Sequence, residues 1–203
     1  GRGETGRVLS KGNKKESPRL NLNLRTGARG LSLLGEFMAP NFEALFEGTD
    51  ALPWEEFVPR EGKFPVKGYA INSALHAVPT CQAMVKKAIA KRLGKVYGLE
   101  TLPETGALYQ VQFALFKDRA SLMLDTSGEG LYKRGYRAQG VGAPLKETLA
   151  AAMVALSRYK GRDPFCDPFC GSGTIAIEAA LVAKNRAPGL NRSFSAQKWA
   201  QLP

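Results

Sequence analysis

The eight residues Asp167-Pro-Phe-Cys-Gly-Ser-Gly-Thr174 constrain this chain more than any other stretch. They lie between a short apolar strand, Phe165-Cys166, and an apolar helix expected from about Ile175 to Lys184. That context gives a glycine turn meaning. Gly171 and Gly173 have no Cβ, so the backbone can bend tightly and a ligand can rest directly on it. The helix that follows aims its free amides and positive dipole end at the same place, favouring a carboxylate or phosphate. Asp167, at the end of the strand, can accept hydrogen bonds from an ammonium or a ligand-bound water. A carboxylate beside an anion-binding helix end suits a zwitterion better than a polyphosphate. A phosphate-binding P-loop is excluded because no Lys follows Gly173. The dinucleotide fingerprint also fails, since Ile177 stands where its last glycine or alanine would be. A plain packing turn is the bland alternative.

The 203 residues carry 29 Lys plus Arg against 18 Asp plus Glu, a formal charge of +11. Such an excess points to a polyanionic partner, most often nucleic acid, although a solvated basic face has the same composition. Hydrophobic residues make up 44%, too many for a disordered chain. No apolar run approaches the roughly 18–20 residues needed to span a bilayer, and from the polar first twenty residues no secretory signal is expected. Three cysteines make no disulfide framework, so a reducing cytoplasm is expected. Cys166 and Cys170 have C-x₃-C spacing without further ligands nearby, which argues against a metal. His76 is the only histidine, and a nucleophilic triad would depend on it alone.

Along the chain, Gly1–Pro18 is ragged, with Val8 and Leu9 as a strand remnant before the Gly12-Asn13 turn signal. Arg19–Arg25 alternates Leu and Asn and fits a strand or a helix equally well. Phe42, Leu45, Phe46, Leu52 and Trp54 form an apolar cluster behind a helix start at Pro40-Asn41. A charged connector, Pro59–Lys63, leads to a strand over Phe64–Ile71, then a helix from Cys81 to about Leu93 that Gly94 or Gly98 would end. Lys86, Lys87, Lys91 and Arg92 lie mainly on one side of that helix. Tyr109–Phe116 and Ala120–Asp125 read as a hairpin. After the basic segment Leu131–Arg137 comes an Ala- and Leu-rich helix over Leu145–Tyr159.

The segment Asp167–Ala180 resembles the S-adenosylmethionine-binding motif of class I RNA methyltransferases that also carry a THUMP domain. Within that group it is most similar to the bacterial enzymes that methylate guanine N2 of large-subunit ribosomal RNA. The similarity extends to Leu131–Arg137, Ala143–Ala150, Asn185–Leu190 and Phe194–Trp199 in the catalytic part. Upstream it takes in Leu22–Thr26, Leu45–Gly48, Leu52–Glu55, Lys63–Lys67 and His76–Ile89, with Thr80 standing where an acid is expected. The resemblance covers roughly residues 19–203.

The fold it implies is α+β, a ferredoxin-like remnant plus a THUMP domain, followed by the start of an α/β Rossmann-like methyltransferase domain. The divisions expected are residues 1–62, 63–130 and 131–203. The activity implied is methyl transfer from S-adenosylmethionine to an exocyclic amine of a ribosomal RNA base, in the cytoplasm, with RNA as partner and without membrane or metal. By that carry-over Asp167, Pro168, Phe169, Gly171, Gly173 and Thr174 line the methionine end of the cofactor. Lys86, Lys87, Lys91, Arg92, Lys133, Arg134 and Arg137 would meet RNA phosphates. Tyr132 and Tyr136, set among basic residues, fit stacking on RNA bases or a linker packed on the domain equally well.

Two departures accompany the match. No Asp or Glu follows Glu178 to hold the ribose hydroxyls, and no Asn/Asp-Pro-Pro-aromatic loop is present to receive an extruded base. The chain therefore reads as a piece of a methyltransferase, truncated at both ends and without catalytic residues of its own. Its unfinished sheet is expected to promote association through residues 145–199. Two other readings stand beside this one: a non-catalytic RNA-binding THUMP module, and an adenine-specific DNA methyltransferase.

Overall fold

The computed structural model describes residues 2–4, 6–12, 16–137 and 144–199. The Asn13 half of the early turn signal and Ala143 of the second resemblance segment lie outside the described residues. In chain order the elements are β1 (Arg2–Glu4), β2 (Arg7–Leu9), α1 (Glu16–Asn23), β3 (Leu31–Met38), α2 (Phe42–Asp50), β4 (Val66–Ile71), α3 (Val78–Tyr97), β5 (Val111–Phe116), β6 (Arg119–Asp125), α4 (Glu147–Leu156) and α5 (Thr174–Ala183). They fall into two compact units. One comprises residues 31–125 with Lys198 and Trp199; the other comprises the described residues of 1–30 and 126–197.

The first unit is a four-stranded sheet in the order β3-β6-β5-β4, with only the β4–β5 pair parallel. Helix α3 makes the connection between those two parallel strands, as a parallel pair requires. β5 and β6 form the expected hairpin, and its two-residue turn places Lys117 and Asp118 at φ +50° and +59°. Two successive positive φ values match the right-handed twist of the strands. The sheet joins β3, ahead of residue 62, to β6, behind residue 63.

Asn41 starts α2 in an extended conformation and its side chain accepts the Ala44 amide at 2.8 Å. Such a cap stabilises a helix by about 1 kcal/mol. Helix α3 starts earlier and ends later than expected. Pro79 fits its first turn, and the left-handed Gly98 closes it, while Gly94 stays helical. Trp54, Phe64, Val85, Ile89, Leu93, Phe113, Leu115 and Leu122 are buried together in this unit. Each contributes about 1.5–3 kcal/mol by leaving water. Trp199 belongs here too: its ring stacks on Tyr109 at 5.0 Å and its indole donates to the Leu108 carbonyl at 2.8 Å.

In the second unit the Leu-Asn alternation of residues 20–24 resolves as helix α1, with Asn21 inside. The Asn21 amide donates to Thr126 Oγ1 at 3.0 Å and accepts from Ser127 Oγ at 2.7 Å. Thr126 Oγ1 in turn donates to the Gly30 carbonyl at 2.9 Å. This knot satisfies three buried polar side chains at once, the condition for burying them without penalty. α4 packs on α5.

The strand expected at Phe165-Cys166 is not formed. A strand gains its hydrogen bonds only from a neighbour, and the described strands of this unit are the short β1–β2 pair alone. Phe165 instead rests against Tyr159, with ring centroids 5.0 Å apart. Leu149, Met153 and Leu156 of α4 and Ile177 of α5 are exposed. No described helix is long and apolar enough to cross a membrane.

Candidate cofactor turn and basic surface

The glycine turn enters α5 as its composition requires. Gly171 and Gly173 take φ of +50° and +73°, and Gly173 is the cap residue of the helix, with no side-chain cap hydrogen bond. A side chain at Gly171 would meet nothing within 4 Å, so the space above the turn is open. The first amides of α5 have no partners within the helix and point out of this end. Asp167 Oδ1 accepts the Phe169 amide at 3.2 Å, a local turn that fixes the carboxylate at the start of the loop. Pro168 is exposed, and Phe169 is 94% exposed.

Thr174 behaves differently from its neighbours. It is buried, and its hydroxyl takes a hydrogen bond from Arg137 Nη2 at 2.5 Å and lies 3.1 Å from Ser172 Oγ. Its side chain therefore faces inward, away from the open side of the turn. Arg137 also pairs with Glu147 at 2.8 Å and donates to the Leu145 carbonyl at 3.2 Å.

One turn along α5, Glu178 is completely buried, with Arg134 Nε 3.4 Å from Oε1. The Tyr136 hydroxyl donates to the same oxygen at 3.2 Å. Burial raises the Glu178 carboxyl above its ordinary value, opposed by the charge of Arg134. Burial, followed by the charge of Glu178, raises the Tyr136 phenol above its own ordinary value, so it remains a donor.

Arg134 is 2% exposed and donates to the carbonyls of Leu24, Arg25 and Leu131. That placement opposes the role expected for it at RNA phosphates. A guanidinium folded around internal carbonyls and a carboxylate has no face left for a phosphate. Lys133, beside it, is exposed and pairs with Glu129 at 2.6 Å.

The four basic residues of α3 separate in the same way. Lys86 is half-buried, bonded to Glu104 at 2.6 Å, and its ammonium lies 3.5 Å from the centroid of the Phe64 ring. Arg92 is held by Glu55 through two hydrogen bonds. Lys87 is exposed, and so is Lys91, which stands 3.8 Å from Asp50. Lys87, Lys91 and Lys133 thus present their charge to solvent, whereas Lys86 and Arg92 also hold the fold together.

The Arg92 hydrogen bonds hold the Glu55 carboxyl below the usual carboxylate value. A carboxylate with a depressed folded value stabilises the fold above its unfolded pKa, about 4.3 for Glu. That contribution is lost as pH falls through the folded value. Tm measured from about pH 6 downward should therefore fall less steeply in Glu55→Gln than in the parent. Parallel acid limbs would refute this.

Sequence reasoning missed the buried carboxylates Glu147 and Glu178 and the half-buried Arg25. The available signal was a lone acid in the apolar run Thr174–Ala183. A helix apolar on all sides is buried, and its single acid must find partners inside. Among the described residues, no three His, Cys, Asp or Glu side chains are grouped as metal ligands would be.

Comparison with known proteins settles the two halves separately. The THUMP domain family matches residues 39–125, and the RMKL-like methyltransferase domain matches residues 134–202. The chain joins a THUMP domain to an RMKL-like methyltransferase segment. A Bacillus subtilis (strain 168) relative, named "Putative RNA methyltransferase YpsC", is 50% identical over 198 residues. That alignment takes in 97% of this chain and 51% of the relative, so the chain spans about half the length of the curated relative it matches.

Two solved structures are also similar to this THUMP–methyltransferase chain. One, from Listeria monocytogenes str. 4b F2365, is described as "a predicted N6-adenine-specific DNA methylase". It shares 48% identity at a TM-score of 0.91 over 95% of this chain and 51% of that one. The other, SMU.472, is described as "a putative methyltransferase complexed with SAH". It shares 44% identity at a TM-score of 0.84 over 90% of this chain and 49% of that one.

Proposed function

We propose that this chain is part of an S-adenosylmethionine-dependent RNA methyltransferase of the cytoplasm. Its target would be an exocyclic amine of a ribosomal RNA base, guanine N2 first among them. The observation that carries this reading is the open, left-handed glycine turn at the N-terminus of α5, with Asp167 at its start. A ligand with one ammonium and one carboxylate fits that pair of features. Asp167 would receive the ammonium, and the amides that open α5 would receive the carboxylate. Gly171 and Gly173 leave room for the chain between those groups, flanked by Pro168, Phe169 and the backbone of Thr174. S-adenosylmethionine, when bound, supplies a methyl group activated by a sulfonium that needs no protonation to leave. The SAH bound to SMU.472 supports this choice of ligand.

The domain division proposed is a preceding module in residues 1–62, an RNA-gripping part in 63–130 and the opening of the methyltransferase domain in 131–203. In this division β3 comes from the first and completes the sheet of the second, while α2, also from the first, packs on α3. RNA would be held through exposed cations such as Lys87, Lys91 and Lys133, by phosphate contacts and shape rather than base readout.

The Listeria relative's description favours a second reading, methylation of adenine in DNA. The THUMP match and the name of the Bacillus relative weigh toward RNA. Methyl transfer to deproteinised ribosomal RNA and to duplex DNA, compared side by side, separates the two. Calorimetry with S-adenosylhomocysteine tests the turn itself. Asp167→Ala should weaken binding about tenfold or more, the scale of a lost charge-assisted hydrogen bond, with Tm unchanged. Equal affinities in parent and variant would remove the basis of the reading.

A further inference from the structure

Two arginines that the sequence offers to RNA turn inward and grip a single helix. Arg137 holds the Thr174 hydroxyl at 2.5 Å, and Arg134 pairs with Glu178 at 3.4 Å. Thr174 and Glu178 are four residues apart, so they share one face of α5, and both are buried. Residues 134–137 therefore clamp the first turns of the helix that carries the glycine turn. The clamp is backed by Glu147, 2.8 Å from Arg137 Nε. The turn's own bonds, Phe169 to Asp167, the Gly173 amide to the Cys170 carbonyl at 2.7 Å and the Ser172–Thr174 hydroxyl pair, all lie within it, and Gly173 provides no side-chain cap.

We propose that Arg137 is a positioning residue for this cofactor turn, acting through the hydroxyl of Thr174. Anchored on Glu147 and the Leu145 carbonyl, Arg137 holds that hydroxyl and so sets the direction of the α5 amides and of the Gly171–Thr174 backbone. Affinity for an S-adenosyl ligand then depends on the Arg137–Thr174 pair, although the guanidinium acts only through threonine. The inference rests on the turn being the cofactor site. It also reassigns Arg137 from phosphate contact to cofactor positioning.

The test is the dissociation constant of S-adenosylhomocysteine, by calorimetry on the polypeptide as its own source makes it. Arg137→Gln and Thr174→Val should each weaken binding about tenfold, and the double variant no more than either single one. Residues that act through one contact are non-additive in this way. Thr174→Ser, which keeps the hydroxyl, should bind like the parent. Arg137→Lys should not restore binding, because an ammonium cannot span threonine and glutamate with a planar fork.

Tm is read for every variant. A lower Tm with unchanged affinity would make the pair merely structural and overturn the inference, as would losses that multiply in the double variant. If Arg137→Gln instead spared the ligand and lowered the salt slope of RNA binding by about one, Arg137 would be a phosphate contact, which also overturns it. A parent that takes up no S-adenosylhomocysteine would bring down the proposed function, and this inference with it.

Discussion

Glu178→Ala should destabilise its unit by about 3–5 kcal/mol, the scale set by removing one partner of a buried ion pair. The carboxylate is completely buried and accepts the Tyr136 hydroxyl, with Arg134 at 3.4 Å. Removing it leaves the Arg134 guanidinium, whose side chain is 1% exposed, without a counter-charge. For a protein of this size the loss corresponds to a Tm roughly 6–20 °C lower. Glu178→Gln should fall between parent and alanine, since it keeps an acceptor for Tyr136 but loses the charge. Exchanging Glu178 and Arg134 together for Leu and Met should recover only part of the loss, because it removes both desolvation costs but takes a hydrogen-bond partner from the Tyr136 hydroxyl and from the carbonyls of Leu24, Arg25 and Leu131. A Glu178→Ala variant within about 1 kcal/mol of the parent would show that the buried pair contributes nothing to stability.

Trp54→Ala should cost a comparable amount, about 3–5 kcal/mol, for the cavity it leaves. The ring is completely buried, and its indole donates to the Thr49 carbonyl at 2.7 Å. The substitution therefore removes packing and one of two hydrogen bonds to the Thr49 carbonyl, which keeps the Leu52 amide at 3.3 Å, so the second penalty is that of one ordinary hydrogen bond, about 0.5–1.5 kcal/mol. Trp54→Phe separates the two, since it keeps most of the volume and loses the donor. Urea midpoints at constant m report both. A loss confined to the hydrogen-bond scale in Trp54→Ala would mean that the surrounding side chains close over the gap.

Much of the sheet unit was legible in its sequence. Helix α3 announced itself through Pro79 and its apolar face, and β5–β6 through alternation and spacing. β3 was not legible, for a physical reason. Its pairing with β6 slips between Leu33 and Gly35, and such a bulge breaks the two-residue alternation that marks a strand. α1 shows the converse, because Leu-Asn alternation was helical once Asn21 found buried partners in Thr126 and Ser127. At the candidate site the turn could be read locally, since glycine spacing and helix polarity are local properties. The Arg137–Thr174 and Arg134–Glu178 pairs could not. Each joins residues about forty apart, and an arginine in a sequence does not show whether it faces solvent or a buried carboxylate.

The position of β3 also sets a timetable. Residues 31–38 leave the ribosome before their partner strand at 119–125 exists. At about 5–20 residues per second, the wait is on the order of ten seconds. Meanwhile β5 and β6 need only close a hairpin, an event of microseconds. Closing the long loop back to β3 carries the larger entropic cost and slows folding accordingly. Through that interval Leu33 and Met38, exposed even after folding, sit on an unpaired edge of the kind that chaperones cover and neighbouring nascent chains can capture.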